Sequence, residues 1–272
     1  MAESPQITGG YMDKNIQIIE KIQKMIARLV ATNPVGYRLC LIGGFRYRLL
    51  NQSARMSTDI DYHWEKDFSN KQKELVAVFQ RKLIPDVKRQ LGYDGTALEA
   101  TGSEAESPAV KVINLSFWKP DVPYSRIEVP VEITRIICHD KMIVRAAEGV
   151  IYPTASDADM IESKIIGVFN RRVLQHRDLL DIFLFAGQLI SESPERITKK
   201  MGKPGIEKKD VQSRLNDLEK SFSYHVKAID QVIDSQFEPE SAANLKVAGG
   251  GEMILKEIIK ILSAQTAYFL KE

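Results

Sequence analysis

Histidine and cysteine are scarce in this chain, at four and two among 272 residues, and they are dispersed. No group of them has zinc-ligand spacing, so a zinc-knuckle architecture is excluded. Cys40 and Cys138 fall in apolar, strand-like stretches, which predicts free thiols and a reducing compartment. An excess of one charge is also missing: 38 Lys and Arg against 36 Asp and Glu leave a net charge of +2. No global field attracts nucleic acid, and any polyanion site must be a local patch. Long apolar runs are absent too, and none approaches the roughly 18 residues of a membrane span. Residues 1–10 are polar and lack the apolar segment of a secretion signal, so the expectation is a cytoplasmic protein without a membrane partner. What remains, 44% hydrophobic and 27% charged residues without an internal repeat, builds one large globular domain or two modest ones.

Against that plain background, residues 41–64, LIGGFRYRLLNQSARMSTDIDYHW, concentrate several special features. A short apolar strand over residues 38–42 stops at Gly43-Gly44, helical spacing follows over 45–50, and 51–58 is loop chemistry. Extension resumes at Asp59-Ile60-Asp61-Tyr62. Alternate residues of a strand share a face, so Asp59 and Asp61 point the same way beside a glycine turn whose amides can face an anion. Two readings fit the acids: a solvated strand edge, or a Mg²⁺ site, in which hard oxygen ligands come from protein, water and phosphates. Arg46, Arg48 and Arg55 surround the turn and Ser57 immediately precedes the acids, which favours the second reading. His63 beside them, like His139 and His176, reads as a packing or hydrogen-bonding residue.

Along the chain, helices are predicted over residues 13–31 and 69–91, the latter kinked or interrupted at Pro85. Residues 92–108 read as loop or one weak strand. Strands follow over 110–118 and 126–137, joined by a hairpin-like turn at 119–123. In the second of these, Glu128 and Glu132 lie on a polar face opposite Ile127, Val129, Val131 and Ile133. Ser156 caps a helix with the apolar stripe Ile161, Ile165, Val168 and Phe169. Arg171-Arg172 and a helix over 177–190 come next. Residues 191–210, containing TKKMGKPGIEKKD, read as a polar loop and a candidate boundary. Helices over 211–236 and 251–270 are separated by turn-rich residues 237–250. The plan is α+β, with an α/β domain over residues 1–155 and a helical C-terminal domain over 156–272.

The pattern of Gly-Gly, a short helix, and Arg55-X-Ser57-X-Asp59-Ile60-Asp61 resembles the first motif of polymerase-β-like nucleotidyltransferases, and more narrowly the AbiEii/AbiGii-type toxin branch. The branch's second motif is matched by Glu162-X-Lys164, Arg171-Arg172 and Arg177-Asp178-X-X-Asp181, in order and type. The likeness covers residues 35–190. It implies a small mixed or antiparallel sheet flanked by helices, with a C-terminal helical region completing the active site. It further implies Mg²⁺ (or Mn²⁺) on Asp59 and Asp61, an NTP held by Gly43, Gly44, Arg46, Arg55, Ser57 and Lys164, and catalytic roles for Lys164 and Asp178. Asp178 has a plainer reading as a helix cap or a salt bridge to Arg171 or Arg172, and Asp181 reads as an orienting or structural residue. A third carboxylate, expected on a neighbouring strand as proton acceptor, is Glu132, with Glu128 its competitor. Where the superfamily usually has Ser or Thr after the glycines, this chain has Phe45.

The implied activity is transfer of a nucleoside monophosphate from an NTP to tRNA or protein, by the toxin of a toxin–antitoxin or abortive-infection pair with a separately encoded antitoxin. A small-molecule nucleotidyltransferase of the antibiotic-modifying kind and a non-catalytic nucleotide- or RNA-binding module are the alternatives. The basic segment 199–209 reads equally as a solvated loop or as a contact for a polyanionic acceptor.

Overall fold

The computed structural model describes residues 9–100, 110–122 and 125–271. Residues 1–8 of the polar start, residues 101–109 of the Gly/Ser-rich stretch and residues 123–124 of the hairpin connection lie outside them. The chain forms two compact units: Met1–Gln52, Met56–Arg135 and Val144–Thr154 make the first, and Ser53–Arg55, Ile136–Ile143 and Ala155–Glu272 the second.

Among the described residues, the first unit is a seven-stranded mixed sheet with helices. Its strands are β1 (Cys40–Ile42), β2 (Ile60–His63), β3 (Asp94–Glu99), β4 (Val110–Trp118), β5 (Ile127–Thr134), β6 (Ile143–Ala147) and β7 (Val150–Thr154). Their order is β3-β4-β5-β2-β1-β7-β6. β1 runs antiparallel to β2 and parallel to β7, whereas β2 is parallel to β5. The helices are α1 (Gly9–Thr32), α2 (Gly43–Asn51), α3 (Phe68–Val78) and α4 (Ile84–Leu91). Ile22, Ile26 and Val30 of α1 are fully or almost fully buried in a core shared with Ile60, Ile113, Leu115, Val129, Val131 and Ile133. The alternation expected in β5 holds residue by residue: Ile127, Val129, Val131 and Ile133 are buried and the residues between them are not.

Pro85 divides the predicted helix over residues 69–91. It sits at the start of α4, and a π-helical turn over Phe79–Leu83 joins α3 to α4. The wider turn accommodates a ring that can neither donate to nor sit against the preceding carbonyls. Asp67 caps α3 by accepting from the backbone amides of Ser69 at 2.9 Å and Asn70 at 3.2 Å. β6 and β7 were not anticipated. Glu148 and Gly149, both at positive φ (50° and 74°), join them, as a two-residue hairpin of the twist-matched type requires.

The second unit is helical: α5 (Asp157–Asn170), α6 (His176–Phe185), α7 (Ser193–Gly202), α8 (Lys208–Lys220), α9 (Phe222–Gln236), α10 (Pro239–Val247) and α11 (Gly250–Lys271). Ile161, Ile165, Leu179, Ile182, Ile229, Ile233, Ile254, Ile258 and Leu262 form its core. Three expectations are corrected. Residues 193–202 are helix, not loop: Ile197 and Met201, one turn apart, are fully buried, and Pro194 sits in the first turn. Residues 239–247 are helix rather than turn, again opened by a proline. The predicted helix over 211–236 is two helices, parted at Ser221.

Candidate active site

In the sheet unit, register brings the acids together. Asp61 of β2 is the Cα partner of Glu132 on parallel β5 and of Ile42 on β1, and Asp59 lies one residue before β2. Partners in adjacent strands share a face, so Asp61 and Glu132 are neighbours, with Asp59 one pleat away. Asp59, Asp61 and Glu132 each offer a carboxylate oxygen, all within 4.8 Å of one another. Glu128, four residues back on β5, is held elsewhere: its Oε2 accepts from Ser116 Oγ at 2.6 Å and its other oxygen is paired with Arg126.

Three like charges this close repel one another unless a cation or protons offset them. Their donors are hard oxygens on rigid strands, which suits Mg²⁺ or Mn²⁺. Gly43, the first residue of α2, lies directly against this group. Its φ is +76°, and a Cβ there would fall 1.7 Å from Asp61 Oδ2. A glycine is therefore required twice, for conformation and for space. Phe45, at the position where a hydroxyl was expected, is fully buried in the core, so the helix start presents backbone amides rather than a side-chain donor.

Two polar groups fix the acid-bearing loop. Ser57 Oγ donates to Asp59 Oδ1 at 2.5 Å, so this hydroxyl is spent on a neighbouring carboxylate. Gln23 of α1, buried and 34 residues distant, donates from Nε2 to the carbonyls of Ser57 at 2.8 Å and Asp59 at 3.2 Å. Sequence reading missed Gln23. Its one signal is an amide beside Ile22 on an otherwise apolar helix stripe. Arg46 is fully buried; its Nε donates to Thr154 Oγ1 at 3.1 Å, and it also bonds Asn51. It ties α2 to the end of β7 rather than presenting an open anion ligand. Arg48 pairs with Glu20 on α1 at 2.9 Å.

In the helical unit a second constellation forms. Lys164 of α5 lies 2.6 Å from Asp178 Oδ1 and 3.0 Å from Asp181 Oδ2, both on α6. Arg55 grips Asp181 with two parallel bonds, at 2.7 and 2.8 Å, and donates to Gln236 Oε1 at 3.1 Å. Arg171 pairs with Asp178. Burial works against the Lys164 ammonium, but the two carboxylates outweigh it and hold its pKa above the ordinary value. Burial likewise works against the Asp181 carboxylate, yet Lys164 and Arg55 keep its pKa below 3.8. Arg55, at 2% exposure, and Asp181 are interior ties, and the Lys164 side chain remains 14% exposed.

Glu162, two residues before Lys164, belongs to a separate buried cluster. Lys200 Nζ lies 2.7 Å from Asp159 and 2.8 Å from Glu162, while Arg196 reaches Asp140, Asp159 and Glu162. Arg196 and the Ser156 hydroxyl hold the Asp140 carboxyl down at about 2. Lys199 and Lys200 of the basic segment thus part company: Lys199 pairs with Glu195 at the surface, and Lys200 is interior. Cys40 and Cys138 are not in a disulfide, and no helix among the described residues is long and apolar enough to cross a membrane.

No protein-family model matches this chain, and no curated protein is similar to it in sequence. Solved structures do match. MenT4, a nucleotidyltransferase toxin from Mycobacterium tuberculosis, superposes with a TM-score of 0.55 at 16% identity, over 98% of this chain and 94% of its own. JHP933 from Helicobacter pylori superposes with a TM-score of 0.51 at 18% identity, over 95% of this chain and 99% of its own. Over 98% of its length, the chain has the fold seen in the nucleotidyltransferase toxin MenT4.

Proposed function

We propose that this protein is a Mg²⁺-dependent nucleotidyltransferase that moves a nucleoside monophosphate from an NTP to a hydroxyl of tRNA or protein, as the toxin of a toxin–antitoxin or abortive-infection pair. The observation that carries the reading is the convergence of Asp59, Asp61 and Glu132 within 4.8 Å against Gly43. A divalent ion on those carboxylates would neutralise charge on the triphosphate and on the departing pyrophosphate. The acceptor oxygen forms a bond to the α-phosphorus, the bond from that phosphorus to the α–β bridging oxygen breaks, and pyrophosphate leaves. Glu132 takes the acceptor's proton on its carboxylate. The backbone amides at Gly43 and Gly44 face the phosphates at the helix start.

Lys164 serves phosphate charge and Asp178 orients it. Arg55, Lys164 and Arg171 set three cations against the two carboxylates Asp178 and Asp181, so the cluster keeps one positive charge in surplus for an anion. Arg46 and Ser57 hold α2 and Asp59 in place in the sheet unit, and Arg55 holds α6 in the helical unit. The fold shared with a protein named as a nucleotidyltransferase toxin supports this chemistry.

Incubation with each α-³²P-labelled NTP, Mg²⁺ and total tRNA tests the reading. Label on RNA that disappears in Asp59→Ala supports it, and label on protein assigns the other acceptor. Growth arrest on expression, relieved by Asp61→Ala or Lys164→Ala, tests the toxin assignment. Survival of the wild type would contradict that assignment.

A further inference from the structure

Two features have no place in that chemistry: Arg172, and the lysine-rich segment after α7. They come together in the helical unit at one cleft of about 530 Å³. Arg171, Arg172 and Arg214 line it together with the turn Pro204–Gly205–Ile206, which Lys203 precedes and which Glu207, paired with Lys209 at 2.7 Å, and Lys208 follow. Arg214 is fixed, donating from Nε to Val168 O at 3.0 Å and from NH2 to Arg171 O at 2.7 Å, which caps the carbonyl end of α5 and anchors the arginine pair. Arg171, paired with Asp178, is still 47% exposed. Arg172, Lys203 and Lys208 are exposed and, among the described residues, carry no ion pair or side-chain hydrogen bond.

The two acids at the cleft are already engaged. Asp210 accepts from the Glu207 amide at 2.9 Å as part of the cap of α8, and Asp217 accepts from Ser221 Oγ at 3.2 Å and lies 3.9 Å from Arg214 NH1. With Arg171 matched by Asp178, Arg214 by Asp217 and Lys209 by Glu207, Arg172, Lys203 and Lys208 outnumber Asp210 and leave a positive surplus. A guanidinium fork matches phosphate oxygens, and lysines add point charges. Among the lining residues Phe169 alone is aromatic, and it is buried, so bases find no stacking platform there. Such a surface reads phosphates and tolerates sequence.

We propose that this cleft binds the phosphodiester backbone of an RNA acceptor. The acceptor role rests on the nucleotidyl-transfer reading; the binding does not. The test is fluorescence anisotropy of the full chain with labelled bulk tRNA, in EDTA and without NTP, at several salt concentrations. Arg172→Gln and Lys208→Gln together weaken binding by about tenfold. They also flatten the log–log salt slope by about 0.7–0.9 for each lost contact. Asp59→Ala binds as the wild type does, and tripolyphosphate competes only far above the concentration at which unlabelled tRNA does. Wild-type affinity and slope in the double variant would overturn the proposal. So would tripolyphosphate displacing tRNA at tRNA's own concentration, which would make the cleft a free-polyphosphate site. Binding that depends on Arg172 while no label is ever transferred supports the cleft and counts against the transfer reading alone.

Discussion

Gly43 and Ser57 show how tightly the acids of the sheet unit are held. In Gly43→Ala the new methyl collides with Asp61 Oδ2 and the residue must keep a positive φ. The strained backbone alone costs about 1–2 kcal/mol. The displaced carboxylate should also weaken Mn²⁺ binding, and titration calorimetry beside a thermal melt separates the two effects. Ser57→Ala removes the 2.5 Å bond to Asp59 while leaving the carboxylate in place. A partner of this kind usually matters 10–100-fold in metal affinity, so a roughly tenfold rise in the Mn²⁺ dissociation constant is expected with little change in melting. An unchanged constant would show that Ser57 does not orient the acid. Asp59, Asp61 and Glu132 were legible as candidates because strand periodicity alone puts alternating acids on one face. That Glu132 joins the two aspartates was expected only through the resemblance, because it depends on β2 lying parallel to β5, a register no local pattern encodes.

Between α5, α6 and the loop carrying Arg55, the stabilising charges are also the candidate functional ones. Asp181→Ala leaves Arg55 and Lys164 buried without their shared anion, and a loss of about 3–5 kcal/mol of unfolding free energy is expected in urea titration. The pH dependence follows from the depressed pKa of Asp181. Its contribution is complete above the unfolded value of 3.8 and is lost as pH falls through the lower folded value. Asp181→Asn should therefore remove part of the acid sensitivity below about pH 4.

His176 acts in the same direction in a higher pH window. Its Nε2 lies 2.9 Å from His225 Nδ1, and burial together with His225 keeps its pKa below 6.5, against the pull of Asp217. The folded chain favours neutral His176, so that contribution is present above pH 6.5 and declines as pH falls from 6.5 toward the folded value. His176→Phe should flatten the slope in that window, and an identical slope in variant and parent would contradict the assignment. At this scale the sequence misled where polarity had partners that only the fold supplies. Lysine in the segment 199–209 reads as loop chemistry, yet Lys200 is buried between Asp159 and Glu162, which turns α7 into a core helix. The hairpin of β6 and β7 escaped for a different reason: Val144 and Ile151 are exposed, so the strands lack the clean alternation that marks a half-buried pair.

Over the whole chain, what could be read in advance was the order of the motifs rather than their neighbours. Arg55 to Asp61 and Glu162 to Asp181 stand in the sequence in family order, and the α+β plan with a helical C-terminal region followed from periodicity. Arg55 was expected on the nucleotide, and its bond to Asp181 spans 126 residues, beyond any local signal. The central claim is that the carboxylates beside Gly43 support transfer of the α-phosphoryl group with its nucleoside. It is tested most directly by parallel reactions with α-³²P- and γ-³²P-labelled NTP, Mg²⁺ and total tRNA, using the wild type and Asp61→Ala. The account predicts acceptor-bound label from the α-labelled NTP alone, pyrophosphate as the released product, and loss of at least 10²-fold of the rate in the variant. Acceptor-bound label from the γ-phosphate, or an undiminished rate in Asp61→Ala, would contradict it.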